Sequence, residues 1–376
     1  MTARLRVFVV AGTRPEAIKM APVIRGLRAE SSRFDVTFCV TAQHRDMLDQ
    51  VVALFGLTPD VDLDLMRPDQ SLNELSSRVF AAMDACLAES RPDWVLVQGD
   101  TTTALCTALA AFHRHLRVGH VEAGLRTGDF DAPFPEELNR RVVDLLATAL
   151  FAPTQRSVEV LKREAARESA IHLTGNTVVD ALEAIVAQEG AVDTENVVLV
   201  TVHRRESFGA PLEEVVEAIA ALARLFPAVR FVHVEHPNPN VRDVVRRNAG
   251  IANVQVIPPT DYRSLVRLLR RCRLVLTDSG GIQEEAPTFG KPVLVMRQKT
   301  ERPEGVEAGI ARLVGTDKEI IVREVSRLLN DPAAYRTMSV CVNPYGDGRA
   351  SERIARILLG EEYEPFRALP PRDGGA

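Results

Sequence analysis

The stretch Trp94-Val-Leu-Val-Gln-Gly-Asp-Thr-Thr-Thr-Ala-Leu-Cys-Thr-Ala-Leu-Ala-Ala-Phe-His-Arg-His-Leu-Arg-Val-Gly-His-Val-Glu122 decides the fold. A short apolar run, Trp94–Gln98, meets a small polar turn, then a helical pattern, then a second apolar run, Arg117–Val121. An uninterrupted apolar run is a strand covered on both faces, and two such strands joined through a helix make a parallel βαβ unit. The same alternation extends in both directions. Further strands are expected at Leu5–Val10, Asp35–Thr41, Leu150–Ala152 and Ala170–Leu173 in the first half. In the second half they are expected at Val197–Val202, Val229–Val234, Val254–Ile257, Leu274–Thr277, Pro292–Met296 and Arg312–Val314. Six strands in each half of a 376-residue chain predict two Rossmann-like, doubly wound α/β domains, because one domain takes about 150 residues.

Helix starts support the alternation. Ser71-Leu-Asn-Glu74 has the spacing of a capping box, and Pro15 and Pro135 stand where a first helical turn tolerates proline. The domain boundary is expected at 173/174, where a strand ends and Thr174-Gly-Asn-Thr opens a helix. The second domain is then 174–350, the helix at about 351–366 packs back on the first domain, and the tail 367–376 is disordered.

Composition excludes several classes of function. The chain carries 46 Lys and Arg against 51 Asp and Glu, a formal charge of −5, so an anionic ligand must be held by a local basic site. Neither nucleic acid nor a membrane surface is an expected partner. The five cysteines are scattered without metal-ligand spacing, so no metal is expected, and they read as free thiols. No apolar run approaches the roughly 20 residues of a membrane span, and a cytoplasmic location is expected.

Ligands of open parallel sheets bind at the carboxyl ends of the strands. Gly12-Thr-Arg14 follows the first strand, Gly99-Asp100 follows Gln98, and Glu122 follows Val121. In the second half His203-Arg-Arg205 follows one strand and Asp278-Ser-Gly-Gly281 another. If the two rims face one another, carboxylates line one wall of a cleft and a phosphate cradle lines the other. Ser279, Gly280 and Gly281 sit at a strand-to-helix turn whose free N–H groups suit a phosphate, although a plain tight turn accounts for them equally. Gly12 stands without the further glycines of a dinucleotide fingerprint, which argues against a nicotinamide cofactor. Arg14 and Lys19 suit phosphate neutralisation or a solvated surface. Asp100 reads as a helix cap or an acid, Glu136 as a first-turn residue or an acid; Glu122, between Val121 and Ala123-Gly124, is an odd site for a merely solvated group. Together the three look like an acid/base set. His203 at a strand end suits donation to a leaving phosphate, and His44 lies at a similar junction.

Eleven stretches, in order, resemble the non-hydrolysing UDP-N-acetylglucosamine 2-epimerase family. They begin with Gly12–Pro22, Thr41–Arg45, Gly99–Thr103, Gly119–Gly128, Pro135–Glu137 and Thr174–Thr177. His203–Gly209, Asp278–Ala286, Lys291–Met296, Thr300–Pro303 and Asn343–Gly348 complete them. The resemblance implies a glycosyltransferase-B-like fold, a homodimer, and reversible conversion of UDP-N-acetylglucosamine to UDP-N-acetylmannosamine with UDP as a bound intermediate and no cofactor. Asp100, Glu122 and Glu136 match the family's acid/base carboxylates and His203 its leaving-group histidine. Arg14, Lys19, Gln43, His44, Arg126, Arg204, Ser279, Gly280, Gly281 and Glu285 match its sugar-nucleotide positions. Asp46, Asp69 and Glu235 depart from the pattern of members activated by a second substrate molecule. A hydrolysing epimerase, a diacetamido-UDP-sugar epimerase, a glycosyltransferase of this architecture and a non-catalytic UDP-sugar-binding regulator are the rival readings.

Overall fold

The computed structural model describes residues 4–41, 45–67, 70–164, 166–202, 208–235 and 238–368, with backbone alone for 45–47 and 239–240. The chain divides into two compact units, one of Met1–Ala184 with Tyr345–Arg367 and the other built on Ile185–Pro344.

Among the described residues the first unit is built on a seven-stranded sheet of β1 (Leu5–Ala11), β2 (Phe34–Val40), β3 (Val61–Asp62), β4 (Trp94–Gln98), β5 (Arg117–Val121), β6 (Ala149–Ala152) and β7 (Ile171–Leu173). All neighbours pair in parallel, in the order β3-β2-β1-β4-β5-β6-β7. The six expected strands are present within a residue or two, and β3 is an addition. Its two residues carry no apolar run, and it exists because Cys39 and Val40 at the end of β2 offer an edge to pair with.

The second unit holds a six-stranded parallel sheet of β8 (Val197–Thr201), β9 (Arg230–Val234), β10 (Val254–Ile257), β11 (Leu274–Thr277), β12 (Val293–Val295) and β13 (Ala311–Leu313). Its order is β10-β9-β8-β11-β12-β13. Strand residues alternate between two cores, as a doubly wound sheet requires. Val198, Val200, Phe231 and Leu276 pack with Val215, Ile219 and Leu222 of the helix Ala210–Leu225. Val197, Leu199, Val275 and Val293 pack on the other face with Leu269 and Ile282.

Each order reverses once, between β1 and β4 in the first sheet and between β8 and β11 in the second. That reversal parts the loops at the carboxyl edge and leaves room for a ligand. Local chemistry sets the loops. Ser71 Oγ accepts from Glu74 N at 3.2 Å while Glu74 Oε2 accepts from Ser71 N at 2.7 Å, so the capping box forms as expected.

The first unit runs past 173/174 through Ala184. The helix Thr177–Val186 buries Val178, Val179, Ala181 and Leu182, and its Asp180 accepts from Ala350 N at 3.2 Å and Ser351 N at 2.7 Å. Those bonds cap the helix Ala350–Leu358, which packs against the helix Arg14–Ala29 of the same unit. Arg353 holds Asp347 at 2.6 Å and donates to Thr174 O at 2.9 Å. The stretch expected to be a disordered tail lies outside the described residues from 369 onward.

Candidate active site

At the β1–β4 reversal the turn after β1 is bound to the turn after β4. Gly12 N and Thr13 N donate to Glu16 Oε2 at 3.1 and 2.7 Å, and Thr101 Oγ1 donates to Glu16 Oε1 at 2.7 Å. A Cβ at Gly12 would lie 2.4 Å from Thr103 Oγ1 and 2.6 Å from Thr41 Oγ1, so only glycine fits there. Burial raises the Glu16 carboxyl from 4.5 to about 7 despite these donors, which act in the opposite direction.

Asp100 is not the helix cap. Thr101 takes that role, its Oγ1 accepting from Ala104 N at 3.0 Å, and the Asp100 carboxylate is left to pair with Arg140. Asn139 Nδ2 holds the Asp100 carbonyl at 2.8 Å. Both partners stand on the helix Glu136–Leu146, which therefore sets where Asp100 points.

Glu122 ends β5 with φ +70°, a left-handed conformation that costs a non-glycine residue on the order of 1–2 kcal/mol. Its N–H and that of Ala123 both reach Phe151 O at 3.1 Å, which holds the turn. The side chain is buried and forms an ion pair with buried Lys19, and Asn176 Nδ2 donates to the same Oε2 at 2.9 Å. Glu136 opens its helix half-buried, and its Oε2 is enclosed without a hydrogen-bond partner among the described residues. Its neighbour Glu137 is structural: Thr127 N at 3.0 Å and Gly128 N at 3.2 Å donate to it, and Arg141 lies 3.1 Å away. Burial opposes the Glu137 charge, but these partners and Arg140 outweigh it and hold the carboxyl below its usual range.

The first unit thus brings Lys19 and Glu122 into direct contact and anchors Asp100 and Glu136 to one helix. Arg14 is half-buried in the first turn of its helix. Arg126, expected at the sugar nucleotide, forms ion pairs with Asp144 and Glu164, each at 2.6 Å. Asp144 stands on the helix Glu136–Leu146, and Glu164 caps the helix Gln155–Arg163.

The second unit has its own loop at the β8–β11 reversal. Thr201 and Thr277 join across the strands at 2.6 Å, and Ser279 N donates back to Thr277 Oγ1 at 2.9 Å. Ser279 Oγ caps the short helix Gly280–Glu285 by accepting from Ile282 N at 3.4 Å. The two glycines differ. A Cβ at Gly280 would lie 2.7 Å from Arg302 Nη1, so close packing explains that glycine. At Gly281 the nearest atoms are 3.9 Å away, and packing does not require glycine there. Glu285 is buried and accepts from Tyr262 Oη at 3.1 Å. Gln43, His44, His203, Arg204 and Asp69 lie outside the described residues, as does the side chain of Asp46; Glu235 is buried and pairs with Arg246.

Sequence reading missed Glu16, Arg140, His120 and Asp144. Glu16 did carry a signal, an acid at the third helical position after a glycine turn. Arg140 reaches an acid 40 residues away and carried none.

Two Rossmann-type units with polar carboxyl edges define a protein of glycosyltransferase-B-like architecture. The family model described as UDP-N-acetylglucosamine 2-epimerase matches residues 27–359. A UDP-N-acetylglucosamine 2-epimerase of Escherichia coli O157:H7 is 51% identical over 370 residues, covering 94% of this chain and 98% of that protein. The crystal structure of UDP-GlcNAc 2-epimerase from Neisseria meningitidis, bound to UDP-GlcNAc, superposes with a TM-score of 0.89 at 42% identity, covering 95% of this chain and all (100%) of that one. The MnaA–UDP structure from S. aureus gives 0.88 at 40% identity, over 97% and 100% of the two chains. The chain belongs to the UDP-N-acetylglucosamine 2-epimerase family.

Glu16 gives a measurable pH dependence. Its carboxyl is raised from 4.5 in the unfolded chain to about 7 in the fold, so the folded state binds more protons between those values. The stabilisation is complete below pH 4.5 and is lost as pH rises through about 7. Urea unfolding between pH 4 and 8 will show the native chain losing about 3 kcal/mol relative to Glu16→Gln. Parallel stability curves would contradict it.

Proposed function

We propose that this chain interconverts UDP-N-acetylglucosamine and UDP-N-acetylmannosamine, releasing and re-adding UDP through a 2-acetamidoglucal. The observation that carries this reading is a set of three acids at one sheet edge, each in a different setting: Asp100 on Arg140, Glu122 on Lys19 and Asn176, and Glu136 with an unpartnered oxygen. The sugar C2–H has no adjacent carbonyl and is too weak an acid for direct removal. As the C1–O bond breaks, positive character at C1 acidifies C2–H, and a carboxylate takes the proton while electrons form the C1–C2 double bond. Protonation from the opposite face followed by return of UDP to C1 gives the epimer. Two acid/base groups and a holder for the departing diphosphate suffice.

In this scheme Glu122, charge-matched by Lys19, is the proton acceptor in one direction, and Asp100 and Glu136 supply the opposite face. His203 with Arg14 and Arg204 stabilises the leaving diphosphate, Gln43 and His44 line the sugar site, and Arg126 supports the loop that follows Glu122. The second unit holds UDP through Ser279, Gly280 and Gly281, with Glu285 on the ribose hydroxyls. The scheme needs neither nicotinamide nor metal.

We also propose a homodimer. In the first unit Phe112, Phe130, Phe134, Leu138 and Leu145 are exposed. Leu138 and Leu145 lie two turns apart on one helix, and Arg141 between them stacks over Phe130 at 4.7 Å. A row of this kind is costly in water and suits a copy of itself. Light scattering will give a dimer mass that Leu145→Glu halves; a native monomer removes the proposal.

Incubation with UDP-N-acetylglucosamine in D₂O will place deuterium at C2 of recovered UDP-sugar, observed by NMR. Free N-acetylmannosamine would instead show hydrolysis, and an inert substrate a different enzyme. In Glu122→Gln, exchange and epimerisation will fall at least about 10²-fold while UDP affinity holds. Normal turnover would remove Glu122 from the mechanism.

A further inference from the structure

The three candidate acids stand on separate segments, yet their supports meet at one buried pair, His120 and Asp144. His120 lies in β5 and is fully enclosed. Its Nε2 is 2.8 Å from Gly99 O, and its Nδ1 is 2.6 Å from Asp144 Oδ1. A backbone carbonyl can only accept, so Nε2 carries a proton. Asp144 is an acceptor throughout, taking Arg126 Nη2 at 2.6 Å and Gly124 N at 3.3 Å on its other oxygen. Burial opposes the Asp144 charge, but His120 and Arg126 outweigh it and hold the carboxyl below its usual range. The short bridge between Nδ1 and Asp144 Oδ1 holds a proton between the two groups and fixes both.

We infer that buried His120 positions the candidate catalytic acids, tying the Asp100 turn, the Glu122 turn and the helix of Glu136 and Arg140 into one unit. This rests on the epimerase reading and adds a residue to it. Gly99 is held by β5 at both ends, its N–H on Val121 O at 3.0 Å and its carbonyl on His120. Asp100 is the next residue. Asp144 reaches from the helix Glu136–Leu146 to Gly124, two residues beyond Glu122. The ring is fully enclosed, so losing either hydrogen bond would leave a buried polar atom without its partner. His120 touches no reacting atom in this scheme, so it is a positioning residue.

Two measurements test the inference. In ¹⁵N-histidine-labelled native protein the His120 Nε2 proton will be visible and slow to exchange with solvent, as an enclosed hydrogen bond to Gly99 O requires; assignment comes from the signal that disappears in His120→Asn. A ring proton in rapid exchange with solvent would overturn the inference, and this result does not depend on whether the protein epimerises. In His120→Asn and Asp144→Asn, kcat will fall about 10²-fold, as misplacement of an acid by about 1 Å does, with KM and UDP affinity changed less than about threefold. Unchanged kcat in a folded variant would overturn it. Should both variants fail to fold, the ring spectrum decides. Native protein that shows no C2 exchange refutes the epimerase reading, while the ring spectrum still tests the enclosed His120 hydrogen bonds.

Discussion

A carboxylate withdrawn from water at the edge of a parallel sheet has to be met by a cation or by N–H groups, and Glu122 meets both in Lys19 and Asn176. Much of the first unit's edge follows from that contact. Lys19 comes from the helix after β1, Glu122 from the turn directly after β5 and Asn176 from the residue just before the helix Thr177–Val186. Removing either member of a buried ion pair commonly costs about 3–5 kcal/mol, because the survivor is left charged and unsolvated. The pair also explains the left-handed backbone of Glu122: the strain persists because partners on two other segments fix the side chain. Glu16 does the same for the neighbouring turns through Gly12, Thr13 and Thr101.

The second unit uses another principle. Its edge is ordered by threonine and serine hydroxyls and by closely packed glycine, and its basic residue Arg302 is engaged by Glu284 at 2.8 Å and Glu301 at 2.6 Å. Gly281 stays unobstructed at the start of a short helix.

Much of the architecture was legible because each strand is covered on both faces and therefore reads as a bare apolar run. Val61–Asp62 escaped because two residues have no period, and the unit boundary escaped because Asp180 binds a helix 170 residues later. The acids after β4 and β5 were legible by position alone: strand ends are where such folds keep their chemistry. What surrounds them was not. His120 reads as one more residue in a buried strand, and Asp144 as an ordinary helical acid; each gains meaning only when residues 24 apart are brought together. Arg126 shows the reverse case, a motif arginine whose actual partners, Asp144 and Glu164, no motif records.

The proposed mechanism fixes an order of bond changes at the sugar: carbon–oxygen cleavage lends C2–H its acidity, and the anchored acids then act. UDP-N-acetylglucosamine carrying ¹⁸O in the bridge between C1 and the β-phosphate reports on that cleavage. Recovered substrate is predicted to show label moved into the non-bridging phosphate positions at a rate no slower than epimerisation. Label retained in the bridge while C2 inverts would contradict the account.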